Sequence, residues 1–128
     1  MRAVWGMAAL LLGAFAAGRA TAGQDERRWY QYDGREWAGF GPHEKEAFVA
    51  GFLAGSAVAD AEHTPGRDSA AVHHLVDSLY RAGGLRYPFG HMVYVSQLDE
   101  FYWWENHVPV PLFAALRDLN GRLKGQEQ

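Results

Sequence analysis

Apolar residues recur every three to four positions along several segments of this chain, and proline or glycine bounds each segment. Such spacing places apolar side chains on one face of an α-helix, whereas a half-buried β-strand needs strict alternation. The clearest segment begins at Pro42, where Glu44 and Glu46 complement the positive end of the helix dipole. The pattern therefore predicts a helix over residues 42–62.

Three more helices follow from the same spacing. Asp68 can cap a second helix that ends at Gly83, a third covers about residues 92–105, and a fourth opens at Pro111. The connections are short, and no internal repeat or strand pattern interrupts them. The sequence predicts an all-α fold, a compact bundle of about four helices over residues 42–128.

The first of these helices has an apolar stripe that is rich in small residues. At 100° per residue, Phe48, Phe52, Gly51 and Gly55 share one face. Each glycine costs about 1 kcal/mol of helix propensity relative to alanine, which is explained if another helix backbone approaches closely there. We therefore expect Gly51 and Gly55 to lie at a helix crossing, with Phe48 and Phe52 facing inward.

Two adjacent tryptophans near the end of the third predicted helix lie off its apolar stripe. Measured from Leu98, Trp103 falls at about 140° and Trp104 at about −120°. Either these rings form a partner-binding surface, or the aromatic residues upstream cover them. Both alternatives remain open at this point.

The N-terminus has the features of a secretory signal peptide. Arg2 precedes the apolar run 4–15, and Ala20-Thr21-Ala22 offers a cleavage site, so residues 1–22 are predicted to be removed. A retained anchor is the competing interpretation, but the wider apolar stretch 3–17 has only 15 residues, short of the ~20 that span a membrane. The mature chain is then periplasmic or secreted, with no membrane association after cleavage.

Residues 23–41 are predicted to form an aromatic N-terminal arm. Turn-forming residues at Asp33, Gly34 and Gly39 interrupt the aromatic residues, which favours an extended segment. Such an arm would lie across the helices as a lid. Its aromatic residues are Trp29, Tyr30, Tyr32, Trp37 and Phe40.

The charge and the cysteine content argue against a nucleic-acid-binding protein and against a fold stabilised by disulfides. Of the 12 basic residues, two precede the predicted cleavage site, so the mature chain has 10 basic and 15 acidic residues and a formal net charge of −5. Nucleic acid is therefore not expected as a partner, since binding it requires a clustered basic face. Cysteine is absent, so packing alone must stabilise the exported chain.

No residue pattern indicates catalysis, and we expect neither enzymatic activity nor a cofactor. The serines lie outside any recognisable nucleophile motif, and paired carboxylates such as Asp99-Glu100 are expected to be solvated. The weak metal candidates are His63, His73 and Asp77, but no metal-ligand spacing is present. His73 and the next residue, His74, should point about 100° apart on a helix and so fail to share an ion.

The segments FVAGFLAG and FYWWENHVPVPLFAALRDL resemble, in order and type, elements of the type VI secretion amidase immunity superfamily. That resemblance implies a small exported all-helical protein that binds and blocks a peptidoglycan-cleaving toxin. This chain lacks the cysteine pair that many such proteins carry. The resemblance therefore assigns no functional residue to a position in this sequence.

Two classes of function remain. The favoured one is a protein-binding module, with an unknown protein or, in a homodimer, a second copy as partner, because surplus aromatic residues suit contact better than chemistry. The alternative is an envelope protein that binds a small ligand or metal, and a structural accessory is a third interpretation.

Overall fold

The computed structural model describes residues 27–64 and 71–128. Within those ranges the chain forms five α-helices and no β-strand, so the predicted all-α bundle is confirmed. The helices are α1 (Gly34–Gly39), α2 (Pro42–Glu62), α3 (Val72–Arg81), α4 (His91–Phe101) and α5 (Leu112–Gln126). The predicted signal peptide, residues 1–22, and the cap at Asp68 lie outside the described residues.

Two compact units divide the chain, Met1–Gln31 and Tyr32–Gln128. Of the first unit the structure describes residues 27–31, where Trp29–Gln31 form one turn of 3₁₀ helix. The second unit carries all five α-helices and begins at Tyr32, upstream of the predicted start of the helical domain at residue 42.

The predicted extended arm is wrong for residues 34–39, which form α1. A capping box starts this helix: the Asp33 carboxylate accepts the Arg35 backbone N–H at 2.9 Å, and the Glu36 carboxylate accepts the Asp33 N–H at 2.9 Å. This local pairing favours helix over the extended chain that the turn residues indicated. Trp37 on α1 is buried, with 2% of its surface exposed, so it belongs to the core.

Helix α2 spans the predicted residues, with Pro42 in its first turn. The Glu44 carboxylate accepts the Gly41 N–H at 2.8 Å and so provides a hydrogen-bond partner at the start of the helix.

Helix α3 ends as predicted: Gly83 has φ +70°, and the N–H of Gly84 donates to Leu79 O at 2.8 Å. This geometry is a Schellman cap, which requires the left-handed conformation that glycine adopts easily.

The glycine prediction on α2 is wrong. Gly51 and Gly55 are exposed, and a Cβ atom on either would meet no atom of the described chain within 4 Å. The buried face of α2 is centred on Val49, and at 100° per residue Gly51 lies about 160° and Gly55 about 120° from it. Phe48 and Phe52 are half-buried at the edge of that face and pack against the core.

The core forms where α4 packs against α2 and α5, whereas α3 packs against α2 but contributes no buried residue. Its fully buried large side chains come from four helices, which explains how a chain without disulfides holds together. They are Trp37, Val49, Tyr94, Leu98, Leu112 and Leu116.

A chain of polar contacts ties the loop after α3 to this core. The Tyr94 hydroxyl donates to Asn120 Oδ1 at 2.8 Å, and Asn120 Nδ2 donates to Arg86 O at 2.9 Å. The Arg86 N–H in turn donates to the Asp60 carboxylate at 2.8 Å. Three helices and one loop are therefore linked through side chains that are largely shielded from water. In such surroundings, the loss of a hydrogen bond costs the most free energy.

Candidate functional site

The two adjacent tryptophans lie on a turn rather than on a helix. Helix α4 ends at Phe101, short of the predicted residue 105, and a 3₁₀ turn follows at Glu105–His107. Trp103 is 81% exposed and Trp104 is 60% exposed, so the upstream aromatic residues of the same unit, Tyr32, Trp37 and Phe40, do not cover them. We call residues Tyr102, Trp103 and Trp104 the tryptophan turn.

Hydrogen bonds fix the tryptophan turn on its core side. The Tyr102 hydroxyl donates to Val110 O at 2.6 Å. Burial raises the pKa of that hydroxyl, and the nearby carboxylates Asp33 and Glu36 raise it further, so it keeps its proton at neutral pH. The turn is therefore anchored by a stable donor to the segment that leads into α5.

His107 fixes the other end of the turn. Its Nδ1 lies 2.7 Å from Phe101 O, and because a carbonyl oxygen can only accept, Nδ1 carries a proton. The imidazole stacks on the Phe101 ring, with centroids 4.2 Å apart and planes 17° apart. The His107 N–H also donates to Trp104 O at 2.9 Å. The backbone that carries both tryptophans is thus held by hydrogen bonds at both ends.

An open cleft of about 390 Å³, the Lys45 cleft, lies beside Trp103. Trp37, Lys45 and Asp99 line it: Asp99 Oδ1 accepts both the Trp37 indole N–H at 2.9 Å and the Lys45 ammonium at 2.7 Å. The same ammonium lies 5.0 Å from the centroid of the Trp37 ring. One lysine of the chain therefore fills a site built from an indole and a carboxylate.

A second groove of about 240 Å³, the Glu100 groove, lies beside Trp104 between α4 and α5. Phe101 and Leu119, both buried, form its apolar part. Glu100 and Arg122 are exposed and bring opposite charges to it. The tryptophan turn therefore separates two grooves, each of which combines one exposed tryptophan with one carboxylate.

The spacing of apolar residues identified the two tryptophans but not the groups around them. Asp99 and Glu100 are exposed, as expected of a solvated pair, but Asp99 also accepts hydrogen bonds from α1 and α2, and Glu100 lines a groove. The contribution of Lys45 depends on how α2 packs against α4. Spacing within one helix does not reveal such a contact.

The weak metal candidates lie apart from the tryptophan turn. His63 is exposed at the end of α2, with Nδ1 2.7 Å from Ala59 O, and Asp77 on α3 pairs with Arg81 at 2.8 Å. His73 is also exposed on α3, and the prediction that its ring diverges from that of His74 is wrong, since their centroids are 3.7 Å apart. Among the described residues, no group of three His, Cys, Asp or Glu is placed to hold a metal ion.

Comparison of the chain with protein-family models, with curated proteins and with solved structures found no match. Of the helices in the described part of the chain, none is both long enough and apolar enough to cross a membrane.

Proposed function

We propose that this chain is an exported protein-binding domain and that the tryptophan turn is the centre of its contact surface. The observation that carries the proposal is the exposure of Trp103 and Trp104 on a turn that is fixed at both ends. Tryptophan is enriched at the energetic centres of protein interfaces, because it buries a large apolar area while only two torsions become ordered.

The hydrogen bonds that hold the turn support the same proposal. Binding costs free energy when loops and side chains must become ordered, and a contact surface that is already fixed avoids much of that cost. The hydrogen bonds of Tyr102 and His107 supply this pre-organisation. The Lys45 cleft and the Glu100 groove provide concave surfaces on either side, into which side chains of a partner can insert.

Two features of the sequence support a more specific form of the proposal, an inhibitor of the immunity type that acts in the cell envelope. The signal-like segment 1–22 supports export, and the order of elements resembles the amidase immunity superfamily. The partner in this form of the proposal is a peptidoglycan-cleaving toxin, which the tryptophan turn would contact.

Affinity capture tests the proposal. Immobilised protein is exposed to an envelope extract, and retained proteins are identified by mass spectrometry. We expect a partner that wild type retains and that Trp103→Ala/Trp104→Ala loses. Tyr80→Ala, which removes a 67% exposed aromatic ring on α3, is the matched control and should retain it.

The inhibitory form has its own measurement. The retained partner should release soluble fragments from purified peptidoglycan, and wild type but not the double variant should suppress that release. Retention of the same proteins by all variants would contradict the proposed contact surface. If wild type retains no protein, the small-ligand or metal-binding alternative is favoured instead.

A further inference from the structure

We infer that the Glu100 groove receives a basic side chain, arginine or lysine, of the protein partner. This inference rests on the proposed function and adds the chemistry of the partner. Glu100 supplies a carboxylate that can pair with the cation, and Trp104 supplies an exposed aromatic ring in the same groove. A cation near both groups gains from the charge pair and from the ring quadrupole.

The Lys45 cleft shows that this fold already fills such a site with its own cation. There the Lys45 ammonium lies 2.7 Å from Asp99 Oδ1 and 5.0 Å from the Trp37 ring centroid. The Glu100 groove repeats the combination of an indole and a carboxylate on the other side of the tryptophan turn. In the described ranges, 27–64 and 71–128, Glu100 has no ion-pair partner, so a cation from outside can supply one.

The arginine that lines the Glu100 groove already has a carboxylate partner. Arg122 pairs with Asp118 one helical turn earlier on α5, at 2.6 Å. It therefore neutralises a carboxylate of its own helix rather than Glu100. A guest cation would meet a groove in which Glu100 remains the uncompensated charge.

The segment around the tryptophans is acidic as well as aromatic. Residues 97–107 contain Asp99, Glu100 and Glu105 but no lysine or arginine, and all three carboxylate residues are exposed. Lys45 compensates only the first of them among the described residues. This negative potential favours a basic partner surface over an acidic one and should make association sensitive to salt.

A pair of matched peptides tests the inference on purified protein. The first is acetyl-Gly-Ser-Arg-Gly-Arg-Ser-Gly-amide, and the second replaces both arginines with glutamine. Binding is followed in NMR spectra by the indole N–H signal of Trp104 and by the backbone N–H signals of Glu100 and Leu119, which line the same groove and also report on the Trp104→Ala variant. We expect saturable shifts with the arginine peptide and an affinity about tenfold lower with the glutamine peptide, the combined effect of one charge pair and one cation–π contact.

Two variants and one control locate the binding. Glu100→Gln and Trp104→Ala should each weaken the arginine peptide several-fold, while Glu62→Gln, an exposed change at the end of α2, should leave the affinity unchanged. Equal binding of the two peptides, or unchanged binding by Glu100→Gln, would overturn the inference.

The same experiments separate this inference from the proposed function. If a captured partner is lost with Trp104→Ala but kept with Glu100→Gln at low and high salt, the protein-binding function stands and the basic side chain is refuted. Hexa-N-acetylchitohexaose serves as the carbohydrate probe. If it shifts the Trp104 signal and neither peptide does, the protein-binding function and the inference both fail.

Discussion

A Cβ atom on Gly34 would lie 2.6 Å from Cδ1 of the Tyr102 ring. It would also lie 2.9 Å from Cα of Val108, whose carbonyl accepts the Gly34 N–H at 2.9 Å. The backbone of the first turn of α1 therefore packs directly against Tyr102, the residue that anchors the tryptophan turn. The close approach that we expected at Gly51 and Gly55 occurs here instead.

Gly34→Ala should destabilise the fold by about 1 to 3 kcal/mol, because the added methyl group overpacks a site bounded by a ring and by backbone. Urea denaturation measures the change in free energy of unfolding. Gly39→Ala, at the other end of α1, is the control, since its Cβ would meet no described atom within 4 Å. Equal stability of the Gly34→Ala protein and wild type would show that Tyr102 can move away at no cost.

Gly51→Ala and Gly55→Ala should each raise stability by about 0.5 to 1 kcal/mol. Both positions are exposed in the interior of α2, so alanine lowers the entropy of the unfolded chain and creates no clash. Thermal melting of each variant measures the effect. A lower melting temperature would contradict their exposure and indicate that these glycines lie in a packed interface.

These glycines show where sequence reasoning stops. The bounds of α2 follow from Pro42 and local spacing, but the face that α2 buries is decided by the elements packed against it, and that face is centred on Val49 rather than on Gly51. The spacing of Asp33 and Glu36 is local and could have revealed α1 through its capping box. The contact of Gly34 with Tyr102 joins distant parts of the chain, and no local pattern encodes it.

The candidate site divides in the same way. The position of Trp103 and Trp104 off the apolar stripe left exposure and cover by upstream aromatic residues both open, and the predicted helix in fact ends before these two residues, which are exposed. The two grooves depend on how α4 packs against α1, α2 and α5, which is tertiary information. Features that depend on one segment of the chain were therefore predictable from the sequence. Grooves that form between two or more helices were not.

Trp103→Ala and Trp104→Ala should each change the free energy of unfolding by no more than about 0.5 kcal/mol, because exposed side chains contribute little to packing. Trp37→Ala should cost about 3 to 5 kcal/mol, since its ring is buried and its indole N–H donates to Asp99. Chemical denaturation of the three variants makes the comparison. A loss of several kcal/mol at either exposed tryptophan would assign it to the core and remove it from the contact surface.

Stability should fall steeply in alkali because of Tyr94. Its side chain is buried, its hydroxyl donates to Asn120 Oδ1 at 2.8 Å, and burial raises its pKa to about 12, above the ordinary value of about 10. The folded state then holds this proton more tightly than the unfolded state does. The stabilisation is fully present below pH 10 and is lost as the pH rises from 10 to about 12. The pKa of Tyr102, raised mainly by burial, acts in the same direction.

Tyr94→Phe isolates this contribution. At neutral pH it should lower stability by about 1 to 3 kcal/mol, because Asn120 Oδ1 loses its donor, but the further loss above pH 10 should be smaller than in wild type. Urea midpoints measured between pH 8 and about 11 test both effects. Tyr80→Phe is the control, since it removes a hydroxyl from a 67% exposed side chain and should keep the alkaline slope of wild type. If Tyr94→Phe loses stability as steeply as wild type, the buried hydroxyl is not the group that titrates, and Tyr102→Phe becomes the next variant to measure.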